Sequence, residues 1–162
     1  MKGIEFSFGD ERIAHHRIFE TAERLEPEIR NMATAISLGY ESDLASLCLP
    51  DDKSMLAKVR QAIDENLQLK PVYLIVDGIG GSNLGTIAVL EAVFGKLYNQ
   101  LTTATKVLYV DTVDSDGVND IMMLVKPVLE EGGNIVLNVI SKSGTTTETI
   151  ANAEVLIDLL RR

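Results

Sequence analysis

The run Val72-Tyr73-Leu74-Ile75-Val76-Asp77-Gly78-Ile79-Gly80-Gly81-Ser82 passes from five apolar positions straight into a glycine-rich turn. A short apolar run of this composition, bounded by glycines, reads as a strand buried on both faces. A helical stretch follows, from about Asn83 to Phe94. The same order returns twice. Lys106-Val107-Leu108-Tyr109-Val110 leads through an Asp-rich turn into a helix from about Val118 to Glu130. Asn134-Ile135-Val136-Leu137-Asn138-Val139-Ile140 leads through Ser141-Lys142-Ser143-Gly144-Thr145-Thr146 into a helix still amphipathic at Arg162. Three strand-loop-helix repeats predict parallel βαβ units, hence an α/β domain with a doubly wound parallel sheet. Such a sheet usually has four or more strands, and here no strand follows the last helix, so the domain is expected to be incomplete at its C-terminal side.

Working back from that stretch, the texture changes at Lys70-Pro71, which sets the expected boundary: a helical segment over 1–69 and the α/β domain over 70–162. In the first part Ile18, Ala22, Leu25, Ile29, Met32 and Ile36 recur at spacings of three and four, one face of an amphipathic helix or helix pair. Pro27 either kinks that helix or opens a second one. A further helix is expected from Asp51 or Asp52, as N-cap, to about Asn66.

The chain has 162 residues, 46% of them hydrophobic and 24% charged, the balance of a globular protein rather than a disordered one. Its formal charge of -9 comes from 15 Lys+Arg against 24 Asp+Glu. The excess is spread along the chain, and no basic stripe exists to neutralise a phosphodiester backbone. Nucleic acid and anionic membrane are therefore excluded as expected partners of the surface as a whole, while a local anion site is not. Cys48 is the only cysteine. With His15 and His16 it makes no zinc pattern, so no metal site is expected and the thiol reads as inert. The start, Met1-Lys2-Gly3-Ile4-Glu5-Phe6, has no apolar leader region, and no apolar run approaches the roughly 18 residues that span a bilayer. A reducing, cytoplasmic setting is the expectation.

In an open parallel sheet ligands bind beyond the carboxyl ends of the strands, so the three strand-to-helix loops are where function is to be sought. The third is the richest. Ser141, Ser143, Thr145, Thr146 and Thr147 offer hydroxyls, Lys142 adds a point charge, and Gly144 lets the backbone turn tightly. The helix that starts there points its unpaired N–H groups at the same space, which suits a phosphate monoester. Thr145 and Glu148 also have the spacing of a capping box, so a Ser/Thr-rich helix cap with a solvated lysine is the plainer alternative. In the first loop Gly78 and Gly80 match the start of a dinucleotide fingerprint, but Asn83 stands where its third glycine belongs. A Walker A loop fails as well, because Thr86 and Ile87 follow Gly85. The second loop, Asp111 to Gly117, has no calcium-loop spacing and reads as a turn with helix-capping aspartates. Asp77 reads as a loop charge rather than a functional carboxylate.

Gly78-Ile79-Gly80-Gly81-Ser82-Asn83-Leu84-Gly85 resembles the first signature loop of the glucose-6-phosphate isomerase family. Ser141-Lys142-Ser143-Gly144-Thr145-Thr146-Thr147-Glu148-Thr149 resembles its phosphate-binding signature, the more specific match. The order and spacing of the two loops are similar to the first sugar-isomerase (SIS) domain of that family, a doubly wound, flavodoxin-like fold. The resemblance covers about residues 70–162, and residues 1–69 resemble the family's helical N-terminal region only loosely. It implies that Ser141, Lys142, Ser143 and Thr146 hold the phosphate of a hexose 6-phosphate, with Gly81 and Ser82 completing the pocket. Held by its phosphate, the sugar is positioned by binding energy remote from its reacting carbons.

The family interconverts glucose 6-phosphate and fructose 6-phosphate through a cis-enediol, with no metal or organic cofactor. Its proton-transferring glutamate, and the arginine, histidine and lysine that assist, all lie in segments that would follow Arg162. No catalytic residue is therefore expected here, and Glu148 is left to the phosphate-loop helix. Asn83 stands where many members carry an aspartate or an aromatic residue. The resemblance implies the N-terminal part of such an isomerase, inactive alone and a homodimer when whole. The alternative is a stand-alone SIS-type module that binds or senses phosphosugars without reacting them.

Overall fold

The computed structural model describes residues 15–101 and 104–161. The readings made on Met1–Phe6, on the side chain of His15 and on Arg162 lie outside the described residues. The chain divides into two compact units, Met1–Val59 and Arg60–Arg162.

In the first unit α1 runs over His15–Leu38 with Pro27 inside it, so the proline interrupts one helix instead of opening a second. It removes one N–H, which leaves the Glu23 carbonyl without its helical donor. The cost is small on a surface helix, where solvent reaches the freed carbonyl: Leu25 and Ile29 beside it are more than half exposed. Two short 3-10 turns, Gly39–Glu41 and Ala45–Asp51, follow. Then α2 spans Lys53–Leu67, across the division at Val59. Its cap is Asp52 and not Asp51: Asp52 Oδ1 accepts from the Met55 N–H at 2.8 Å, and its Oδ2 accepts from the Tyr40 hydroxyl at 2.6 Å. These two bonds hold the Asp52 carboxyl below its usual range, and the same hydrogen bond pushes the Tyr40 hydroxyl up to about 12.

The second unit has the expected α/β class. Strands β1 (Tyr73–Asp77), β2 (Lys106–Val110) and β3 (Ile135–Val139) form one parallel sheet in the order β2-β1-β3. Asp77 pairs in register with Val110 on one side and Val139 on the other. That is the opening order of a doubly wound, flavodoxin-like sheet. Helices α3 (Leu84–Phe94), α4 (Tyr98–Leu101), α5 (Ser115–Glu130) and α6 (Thr147–Leu160) complete it. Because side chains alternate along a strand, Tyr73 and Ile75 face the same way, and they form the core with Val110, Val118 and Val125 of α5, and Leu156 of α6. Ile75, Val125 and Leu156 are fully enclosed.

Two local readings need correction. The helix expected from Val118 starts three residues earlier, at Ser115, because Asp114 caps it: its Oδ1 accepts from the Asp116 N–H at 3.1 Å. The Asp-rich turn thus supplies both the capping aspartate and the first helical turn. Asp77 is not a loop charge but the last residue of β1, fully buried. One edge of the sheet is occupied by a side chain: Asn99 Nδ2 donates to the Val107 carbonyl at 2.7 Å and its Oδ1 accepts from the Val107 N–H at 2.9 Å. The amide imitates a neighbouring strand at that point.

Candidate functional site

The first and third loops leave the carboxyl ends of two paired strands, β1 and β3, and so rise side by side. In the third loop Gly144 adopts φ +69°, a conformation that a side chain would strain, and the chain folds back on itself there. Ser141 Oγ accepts from the Gly144 N–H at 3.0 Å and lies 3.2 Å from Thr146 Oγ1. Ser143 Oγ accepts from both the N–H and the hydroxyl of Thr145, at 3.1 and 2.9 Å. Proton counting then separates these hydroxyls. Thr145 spends its proton inside the turn, Ser143 keeps its own, and Ser141 and Thr146 use one between them and retain the other. Two hydroxyl protons are thus left to give, that of Ser143 and one from the Ser141–Thr146 pair.

The capping box that was the plainer alternative for Thr145 and Glu148 does not form. Thr146 is the N-cap of α6, and its side chain makes no cap hydrogen bond because its hydroxyl is turned to Ser141. The first-turn N–H groups of α6 therefore have no side-chain cap from that residue, and the positive end of the helix faces the loop.

In the first loop Gly80–Ser82 form one 3-10 turn, anchored by Asn83. Asn83 is fully enclosed, and its Nδ2 donates to the Gly78 carbonyl and, at 3.2 Å, to the Val110 carbonyl at the end of β2. This clamp was not foreseen, since an asparagine at a helix start reads as a cap and only the fold brings Val110 to it. The fit allows no side chain at Gly78. A Cβ there would lie 2.9 Å from Ser82 Cβ and 3.2 Å from both Asn83 Oδ1 and the Ile140 carbonyl. Gly78→Ala is accordingly expected to destabilise the second unit by about 1–3 kcal/mol and to displace Ser82. Urea unfolding measures the first effect, and a midpoint equal to that of the unsubstituted chain would contradict the packing described.

Between the loops lies an open cleft of about 780 Å³, lined by Ile79, Gly81, Ser82, Ile140, Ser141, Lys142, Ser143 and Thr146. All six residues singled out from the sequence line it. Among the described residues no carboxylate and no imidazole does. Lys142 is exposed at its mouth, while Ser141 and Thr146 are half-buried. Among the described residues no cluster of three or more His, Cys, Asp or Glu is placed to hold a metal ion. No helix among them is long and apolar enough to cross a membrane.

Below the cleft Asp77 ends the central strand with neither carboxylate oxygen hydrogen-bonded. Burial pushes its pKa above the usual carboxylate range. The nearby Asn152 amide, which also donates to the Thr112 carbonyl at 3.1 Å, lowers it by less than burial raises it. The folded state thus binds this proton more tightly than the unfolded chain does. Stability should fall as pH rises from about 3.9, the unfolded value, to the raised folded value, and the full penalty applies above it. Asp77→Asn is expected to raise the urea midpoint at neutral pH, by a margin that shrinks toward pH 4. A margin constant with pH would contradict this.

Residues 53–162 match the family model described as phosphoglucose isomerase. The glucose-6-phosphate isomerase of Shouchella clausii (strain KSM-K16) is 35% identical over 116 residues, which is 68% of this chain and 24% of that protein. The glucose-6-phosphate isomerase of Carboxydothermus hydrogenoformans (strain ATCC BAA-161 / DSM 6008 / Z-2901) is 30% identical over 118 residues, 70% of this chain and 24% of its own length. That of Bacillus thuringiensis (strain Al Hakam) is 36% identical over 107 residues, 63% and 22% respectively. The chain thus spans about a quarter of the length of the curated relatives it matches.

Proposed function

Since the chain belongs to the phosphoglucose isomerase family, we propose that it supplies the phosphate-holding part of a hexose 6-phosphate site, in an isomerase interconverting glucose 6-phosphate and fructose 6-phosphate. The observation that carries this reading is the single cleft in which both signature loops meet, lined by Gly81, Ser82, Ser141, Lys142, Ser143 and Thr146. Ser143 and one of the Ser141–Thr146 pair offer hydroxyl protons, Lys142 offers an ammonium, and the head of α6 offers N–H groups to one tetrahedral dianion. The phosphate serves as a handle that fixes the sugar, and the proton transfer between C1 and C2 is done by groups outside this cleft. The place of such a reaction is glycolysis and gluconeogenesis, in the cytoplasm, by a homodimer of the whole enzyme. It needs no metal or organic cofactor.

The cleft lining, which among the described residues holds glycines, hydroxyls, one lysine and two isoleucines, favours a second reading, a module that binds a phosphosugar without reacting it. Both readings predict binding, so a calorimetric titration comes first. Glucose 6-phosphate is expected to bind saturably and to be displaced by inorganic phosphate, whereas glucose gives no heat. Equal binding of glucose and glucose 6-phosphate would refute the phosphate assignment. The two readings separate on turnover of glucose 6-phosphate after addition of the remaining segments of a relative's chain: restored isomerisation supports the first, and binding without any restored activity supports the second.

A further inference from the structure

Asp77 stands at the root of both loops of the cleft. Its carbonyl accepts from the N–H of Ile140, a lining residue, at 2.8 Å, and the next residue, Gly78, begins the first loop. Its carboxylate is fully enclosed and unpartnered. Along the sheet its neighbours are Val110 and Val139. From α6 the group that acts on it is the Asn152 amide. Thr149, one turn earlier on that helix, is itself buried with an unpartnered hydroxyl. The charged groups of the surrounding segments are Asp111 after β2, Asp114 and Asp116 at the head of α5, Lys142 after β3 and Glu148 at the head of α6. All are exposed to solvent, so none neutralises it from within.

Building on the reading of the cleft as a phosphate site, we propose that Asp77 is a residue determining ligand affinity: a dianion is held between the loops more tightly when this carboxyl is neutral, so binding is coupled to protonation of Asp77. Two negative charges separated by protein interior repel far more than they would across water. By reciprocity, an ionised Asp77 weakens the anion and the bound anion favours the proton on Asp77. The residue touches no ligand. It acts through the charge it places behind the loops, and the pH at which it titrates limits the range over which the cleft fills.

The test uses inorganic sulfate, which stays dianionic where a phosphate monoester changes charge, titrated calorimetrically into the full chain and into Asp77→Asn from pH 4.5 to 8.5. The variant's advantage in affinity is expected to grow from the acid end to the alkaline end, where it reaches on the order of tenfold. Repeating the wild-type titration in buffers of different ionisation enthalpy is expected to show net proton uptake, which the variant lacks. That measurement stands even if the variant fails to fold. A merely structural role would give a ratio of affinities independent of pH and no proton uptake by the wild type, and either result overturns the inference. Failure of both proteins to bind sulfate or glucose 6-phosphate at any pH overturns the cleft assignment itself, and this inference with it.

Discussion

Replacing Ser141 and Lys142 together by alanine is expected to lower the affinity for glucose 6-phosphate at least a hundredfold while leaving the fold in place. Each residue is assigned a charge-assisted bond to the phosphate, worth about 1.5–3 kcal/mol. The lower sum, about 3 kcal/mol, is already a factor of a hundred. Lys142 is exposed, so its loss disturbs no packing. Ser141 does hold the turn, through the Gly144 N–H and Thr146, so a cost of about 1 kcal/mol in stability is anticipated from its removal. Circular dichroism and urea unfolding separate the two effects. An affinity unchanged in a folded double variant would remove the third loop from the site.

The largest effect on stability is expected at Leu156. Its side chain is fully enclosed where α6 packs on the sheet, against a core that includes Ile75 and Val125. Leu156→Ala deletes that contact and leaves a cavity, at a cost of about 2–5 kcal/mol. Each kcal/mol lowers the melting temperature of a domain of this size by about 4–8 °C. The comparison is Leu84→Ala on α3, the same truncation at a side chain 63% exposed, for which a change within about 0.5 kcal/mol is expected. Similar losses at the two positions would mean that α6 does not carry the core. Because α6 also presents its head to the cleft, Leu156→Ala should weaken binding too, by loosening the helix end that meets the anion.

The strands and the helices after them were legible because each unit changes period within a few residues. Apolar runs such as Val107 to Val110 end in turn residues, and the following segments carry a helical spacing. The two site loops were legible for a related reason, since glycines and hydroxyls concentrate where the backbone must approach a ligand. What escaped depends on partners distant in the chain. Asn83 sits at the N-cap position of α3, yet its side chain is spent on the Gly78 and Val110 carbonyls, and Val110 is 27 residues away. Thr145 and Glu148 have capping-box spacing, yet the competing bond from Thr146 to Ser141 decides how the turn closes. Pro27 left two outcomes open, because a surface helix can absorb the loss of one bond. Asp77 is the instructive miss: Tyr73, Ile75 and Asp77 alternate, so placing the strand end one residue later puts the carboxylate on the core side. A charged residue next to glycines reads as loop, and only the register with Val110 and Val139 shows otherwise.

If the two loops form one anion site, a ligand must perturb both together. The most direct measurement is a two-dimensional amide NMR spectrum of the isotope-labelled chain, recorded while glucose 6-phosphate is added. Saturable shifts are expected at Gly81, Ser82 and Ser141 through Thr147, following one binding curve, with smaller changes elsewhere. Shifts confined to one loop, or centred away from both, would contradict it.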